Sequence, residues 1–228
     1  LIKVVSMKGK KILIGSVVAL ALSSSASLAE ENGVFVGVGA GYGVANIKDQ
    51  YLSQNYSHYI DSKEKGAAYE ILAGYKHFIT PHLGFRLFAN FIYTDAKHKD
   101  SQSGESRRAN VMSYMINFDA LYNFIASSNT NFGVFVGIGA GANTWGGKAF
   151  DEIPSNIPTT KTSFDFALNF GLRSVIARHH GIEIAARMPF EEQYIVNSSF
   201  QDAQGQIAGM TLRGAYKYNI GARYIYNF

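Results

Sequence analysis

The sequence predicts an all-β fold: an eight-stranded antiparallel up-and-down transmembrane β-barrel, preceded by a cleavable signal peptide. Three observations carry this. Apolar residues recur with period two in eight separate segments. In every segment the Asp, Glu, Lys and Arg residues share one face. The connections alternate long and short, which in an up-and-down barrel puts the loops at one end and the turns at the other.

The N-terminus reads as an export signal. Met7-Lys8-Gly9-Lys10-Lys11 is a positive start, with Met7 read as the initiator and Leu1–Ser6 ahead of it. Ile12–Leu22 is an apolar run, and Ser27-Leu28-Ala29 fits a small-x-Ala cleavage site before Glu30. A helical span needs ~20 apolar residues, more than this run supplies. Residues 1–29 are therefore expected to be removed, leaving 30–228 as the barrel. The 228-residue chain has Lys+Arg 21 and Asp+Glu 17, and Lys3, Lys8, Lys10 and Lys11 fall in the signal. The remainder is neutral, without the basic excess that a nucleic-acid partner requires. A hydrophobic content of 47% with 14% aromatics excludes disorder. Cys 0 excludes a disulfide scaffold and a zinc–thiolate site.

Each segment has its own alternation. Gly33–Val44 sets Val34, Val36, Val38 and Tyr42 against Phe35 and a row of glycines. Gly66–Ile79 sets Tyr69, Ile71 and Tyr75 against Glu70 and Lys76, and Gly84–Thr94 sets Phe85, Leu87, Phe91 and Tyr93 against Arg86 and Asn90. Val111–Phe124 places Tyr114, Ile116, Phe118 and Tyr122 opposite Asn117 and Asp119. Phe132–Thr144 repeats the first segment: GVFVGIGAG at Gly133–Gly141 echoes GVFVGVGAG at Gly33–Gly41. Ser163–Ile176 sets Phe164, Phe166 and Phe170 against Asp165 and Arg173, and Gly181–Met188 sets Ile182 and Ile184 against Glu183 and Arg187. Thr211–Phe228 sets Leu212, Tyr216, Tyr218, Tyr224, Tyr226 and Phe228 against Arg213, Lys217 and Arg223. The long connections are Ala45–Lys65, Asp95–Ala109, Trp145–Thr162 and Pro189–Met210. The short ones are Thr80–Leu83, Ile125–Asn131 and Ala177–His180.

The charge-free face is broad and aromatic, too bulky for the narrow interior of eight strands. Facing lipid it fits, with Tyr42, Tyr69, Tyr93 and Tyr114 at the long-loop rim. Tyr75, Tyr122, Phe124, Phe132, Tyr224 and Tyr226 mark the short-turn rim. Tyr224, Tyr226 and terminal Phe228 resemble the C-terminal signal that outer-membrane barrels present to the barrel-assembly machinery. The other face then lines a lumen holding Glu70, Lys76, Arg86, Asp119, Asp165, Arg173, Glu183, Arg187, Arg213, Lys217 and Arg223. Arg173 and Glu183 are expected to oppose each other across the Ala177–His180 turn.

The motifs GVFVGVGAGY (Gly33–Tyr42), SYMINFDALYNFI (Ser113–Ile125), FGVFVGIGAGANTW (Phe132–Trp145), NFGLR (Asn169–Arg173), HHGIEIAARMP (His179–Pro189) and Arg223–Phe228 together resemble the Helicobacter-type outer-membrane protein family. The resemblance implies an outer-membrane β-barrel, in a family linked to pore formation or host-surface adhesion.

No catalytic, cofactor-binding or metal site is expected. The Gly37–Gly43 row has strict spacing of two and no following helix, unlike a dinucleotide fingerprint. His179 and His180 read as turn residues, and Lys97, Lys99, Arg107 and Arg108 as a charged loop patch open to lipopolysaccharide. Two roles stay open: a structural or surface-interaction barrel with four surface loops, or a small passive, porin-like channel with a narrow charged lumen. The expected partners are outer-membrane lipid and lipopolysaccharide, the assembly machinery, and a host or surface ligand reached through the loops.

Overall fold

A computed structural model describes residues 30–228 apart from 54–55, 100–105, 152, 154, 156 and 202–206. The expected signal peptide, 1–29, lies outside the described residues. β1 (Gly33–Ser53), β2 (Tyr56–Phe78), β3 (Leu83–Lys99), β4 (Ser106–Ala126), β5 (Thr130–Gly146) and β6 (Thr162–Ile176) pair in chain order, each antiparallel to the next. A single-turn helix, α1 (Lys148–Asp151), lies between β5 and β6. β7 (His180–Pro189) pairs with β6 and with the C-terminal half of β9 (Ile207–Asn227). β8 (Gln193–Gln201) takes over beside the other half of β9, and β9 closes the sheet onto β1. β7 and β8 thus share one position, and the nine strands make a closed eight-position barrel.

The break between β7 and β8 has a local cause. Pro189 has no N–H for the ladder. The Phe190 N–H makes one last bond to the β6 backbone, to Phe166 O at 2.9 Å, and is shared with Asp165 Oδ1 at 3.3 Å; the Glu191 N–H donates to the same Asp165 oxygen at 3.1 Å.

The strands overrun their expected ends on the long-loop side. Ala45–Lys65 is not a loop: β1 and β2 stay paired from Gly33↔Lys76 to Ser53↔Tyr56. The Asp95–Ala109 stretch is paired from Asp95↔Asn110 to Lys99↔Ser106, and Pro189–Met210 contains β8. A strand crosses hydrocarbon in ~9–11 residues, so β1, with 21 residues, needs only half its length for the membrane. The barrel therefore has two storeys. In the outer one Ala45, Ile47, Ala109, Val111, Trp145, Ile195, Val196, Leu212 and Tyr216 turn inward and form an apolar core. Phe150 of α1 closes it, edge-on to Trp145 at 5.6 Å. Gly147 starts this cap at φ +93°, a conformation that costs glycine little.

One register differs from expectation. Val44 opposes Tyr218 and Ala45 opposes Tyr216, so Lys217 is the extra residue of a β-bulge. The alternation flips there. Tyr218 and the residues after it keep the expected faces, whereas Leu212 and Tyr216 enter the outer core. Arg213 and Lys217, expected in the lumen, lie on the outer surface.

Candidate functional site

The membrane storey has a lipid-facing wall and an ionic interior. Val38, Ile71, Leu87, Ile116, Phe118, Ile138, Phe166 and Ile184 are exposed around its girth, while Glu70, Lys76, Arg86, Asp119, Asp165, Arg173, Glu183, Arg187 and Arg223 are buried inside. Aromatic rings pair across neighbouring strands of the wall: Phe91 stacks on Tyr114 at 5.7 Å and Phe85 on Phe118 at 5.8 Å.

The interior is layered. At the short-turn end Glu30, three residues ahead of β1, folds in. Its carboxylate accepts from Lys76 Nζ at 2.7 Å, from Arg173 Nη2 and Nη1 at 2.5 and 2.9 Å, and from Asn123 Nδ2 at 3.2 Å. Asn32 Oδ1 holds the segment down by accepting the Phe78 N–H at 2.6 Å. In the next layer Arg86 donates to Glu183 at 2.5 Å and to Asp119 at 2.9 Å. Its guanidinium lies over the Phe135 and Phe88 rings at 4.4 and 5.0 Å. Arg223 grips Glu70 with two bonds of 2.7 and 3.0 Å and lies 3.6 Å from Glu183. Arg173 and Glu183 are directly opposed, with Nε 4.0 Å from Oε1; Glu183 makes its shorter bond to Arg86.

Above these an amide ladder crosses the lumen. Asn169 donates to Asn117 and Asn117 to Asn90, both at 2.9 Å, and Asn90 donates to Glu70 at 2.6 Å. Arg187 reaches Asn90 at 3.3 Å. Ser113 donates to Asn143, which in turn donates to Asp165. Glycines of β5 make room for this fill: a Cβ on Gly137 would collide with Asp119, and one on Gly139 with Asn117. Two cavities between the layers, among the described residues, hold about 10 Å³ each, about the threshold for one water.

The charge count closes only with Glu30. The alternation in the sequence places seven cations and four carboxylates in the lumen. Moving Arg213 and Lys217 outside and adding Glu30 leaves, in the membrane storey, Lys76, Arg86, Arg173, Arg187 and Arg223 facing Glu30, Glu70, Asp119, Asp165 and Glu183; a further buried acid, Glu64, lies higher on β2, opposite Ala45. That cationic surplus was the signal for a missing acid.

Burial alone would raise the Glu30 carboxyl above its ordinary 4.5, but the Arg173 guanidinium and then Lys76 overcome this and hold it at about 2. A depressed carboxylate stabilises the fold fully above 4.5, and that contribution is lost as pH falls towards 2. Wild type is therefore expected to lose stability more steeply than Glu30→Gln between pH 5 and pH 2, in denaturant midpoints measured side by side. Parallel curves would show that Glu30 titrates normally.

His179 Nδ1 lies 2.8 Å from Asn227 O, and His180 Nδ1 2.7 Å from the Tyr224 hydroxyl, so both fasten the turn to the last strand. Among the described residues no three of His, Asp and Glu gather as a metal site. Tyr224, Tyr226 and Phe228 point outward in one column. Arg108 lies in β4 and is exposed, and Lys97 and Lys99 are part of the β3 ladder.

The model of the family described as Helicobacter outer membrane protein matches residues 70–228. The chain belongs to this family. As a member it is a bacterial outer-membrane protein, and the closed antiparallel barrel is the family's fold in this chain. No curated relative matches it. Among solved structures, the outer membrane protein OprG from Pseudomonas aeruginosa superposes with a TM-score of 0.50 at 11% identity, covering 89% of this chain and 100% of that one. Neisserial surface protein A gives a TM-score of 0.46 at 16% identity, covering 87% and 100%. At these identities the likeness is one of fold.

Proposed function

We propose that this family member is a closed, non-catalytic barrel that serves the outer membrane as a structural and surface-interaction protein. The outer storey is its contacting part. The observation that carries this reading is a lumen filled at two heights by different chemistry. Five ion-paired or hydrogen-bonded cations and their carboxylates occupy the membrane storey, and the Trp145 core occupies the storey above. A passive channel needs a continuous water path. Opening one here would require parting buried ion pairs, which strands charge in a low-dielectric interior, and also moving Trp145, Phe150 and Tyr216.

Planar-bilayer recording of the refolded barrel tests the reading. No unitary conductance steps are expected. Stable steps of uniform size would overturn it in favour of the porin-like channel.

The same reading assigns partners: outer-membrane lipid and lipopolysaccharide around the wall, a host or surface ligand on the paired hairpins, and the assembly machinery at Tyr224, Tyr226 and Phe228. The last of these predicts that Phe228→Ser lowers the folded, heat-modifiable fraction in cells several-fold while refolding into detergent is unchanged. Equal loss in both settings would make Phe228 a stability residue instead.

A further inference from the structure

The β-bulge at Lys217 aims a lysine outward at a particular height. On β9 the outward residues from Phe228 back to Tyr218 are Phe228, Tyr226, Tyr224, Ala222, Ile220 and Tyr218, an apolar and aromatic column without charge. Ten residue steps at ~3.3 Å, on a strand tilted ~40°, rise about 25 Å, the height of the apolar band of an outer-membrane barrel. Lys217 is the next residue. Without the bulge it would point into the barrel; with it, Lys217 and Tyr218 are both exposed.

Four residues further along β9 towards the outer storey, Arg213 opposes Lys48 across the β1–β9 seam. Glu192 bridges them, accepting from Lys48 at 3.0 Å and from Arg213 at 3.4 Å, and the Arg213 guanidinium lies over Tyr194 at 4.6 Å. The bridge and the ring hold both cations against the wall while about a third of each side chain stays open. Lys63 and Lys65 on β2 are exposed beside them. On the outward face of this sector the acids are Asp61, Glu191 and Glu192, so five outward cations meet three outward carboxylates; Asp49 and Glu64 lie on the inward face of the same strands, opposite Leu212 and Ala45. No carboxylate among the described residues pairs with Lys217.

We propose that Lys217, Arg213 and Lys48 form a binding site for the phosphate groups of the outer-leaflet glycolipid. The acyl chains would lie along the Tyr218–Ile220 column below, and the phosphates against the three cations. Net positive charge, a position at the upper edge of the apolar band, and a bulge that re-aims Lys217 from lumen to lipid all favour a phosphorylated lipid over a soluble ligand. The charged patch read from the sequence, Lys97, Lys99, Arg107 and Arg108, lies on β3 and β4 and borders this sector where Lys97 opposes Lys65 in the register.

The test is lipid retention by the mature barrel in detergent, read by native mass spectrometry. The probes are diphosphorylated lipid A and the same lipid dephosphorylated. At low salt each cation is expected to contribute roughly fivefold, so Lys48→Gln/Arg213→Gln/Lys217→Gln should retain the phosphorylated lipid about a hundredfold less well. Raising the salt should narrow the difference. The dephosphorylated lipid should bind wild type and variant alike. Undiminished retention by the triple variant overturns the proposal, as does equal retention of the two lipids by wild type. Full displacement by millimolar inorganic phosphate would assign the site to free phosphate and overturn the lipid assignment. Heat-modifiable mobility checks folding. Lys217→Gln alone, at an exposed bulge, carries the test if the triple variant does not fold.

Discussion

Arg86→Met is expected to cost the barrel about 3–5 kcal/mol, because it leaves Asp119 and Glu183 buried without their shared cation. Arg86 is buried and contacts both carboxylates, at 2.9 and 2.5 Å. Methionine keeps much of the volume between Phe88 and Phe135 and removes the charge. Arg223 and Arg173 stand 3.6 and 4.0 Å from Glu183, so Glu183 keeps partial compensation; Asp119 keeps none among the described ion pairs. The loss should therefore be non-additive. Arg86→Met/Asp119→Asn is expected to recover a substantial part of the stability lost by Arg86→Met alone, because the second change removes the stranded charge. Urea titration of the refolded proteins at neutral pH measures both. A loss below about 1 kcal/mol for Arg86→Met would mean that water already solvates this layer. A double variant worse than the single would mean that Asp119 acts through contacts other than Arg86.

Much of the membrane storey is legible in the sequence because lipid and lumen make opposite demands on alternate residues. Phe85, Leu87 and Phe91 could not share a face with Arg86 and Asn90, and the register follows from that. The outer storey is less legible. Its strands carry polar residues outside and apolar ones inside, as a water-bathed barrel does, so Asn46, Lys48 and Gln50 read as loop. The inward partners Ala45 and Ile47 were too few to show a period. The bulge at Lys217 hid for a related reason. Apolar character marks a lipid-facing residue and a core residue alike, so Leu212 and Tyr216 looked continuous with Tyr218 and carried Arg213 and Lys217 to the wrong face. Glu30 belongs to no alternating segment at all; only the uneven charge of the lumen pointed to it.

Phe118→Arg is expected to cost roughly 2–4 kcal/mol, while Phe118→Ala is expected to be mild. Phe118 is 50% exposed midway along β4, and its neighbour Asp119 is fully buried on the other face. In the membrane this exposure is to hydrocarbon. Arginine there sits near the bilayer midplane, with nothing polar in the surrounding wall to receive it. Alanine leaves no fixed void, because acyl chains move into the space; the ring contact with Phe85 at 5.8 Å is lost. Trp145→Ala supplies the contrast within the same protein. Trp145 is 2% exposed in the outer core, packed on Phe150, with no lipid to fill the space it leaves. Its loss is expected to cost about 3–5 kcal/mol, the usual figure for removing a large buried aromatic. The three variants, refolded into liposomes and titrated with denaturant, thus sort the two storeys by solvent. Phe118→Ala as damaging as Trp145→Ala would put Phe118 in a packed core and turn the barrel inside out. A tolerated Phe118→Arg would place that wall in water.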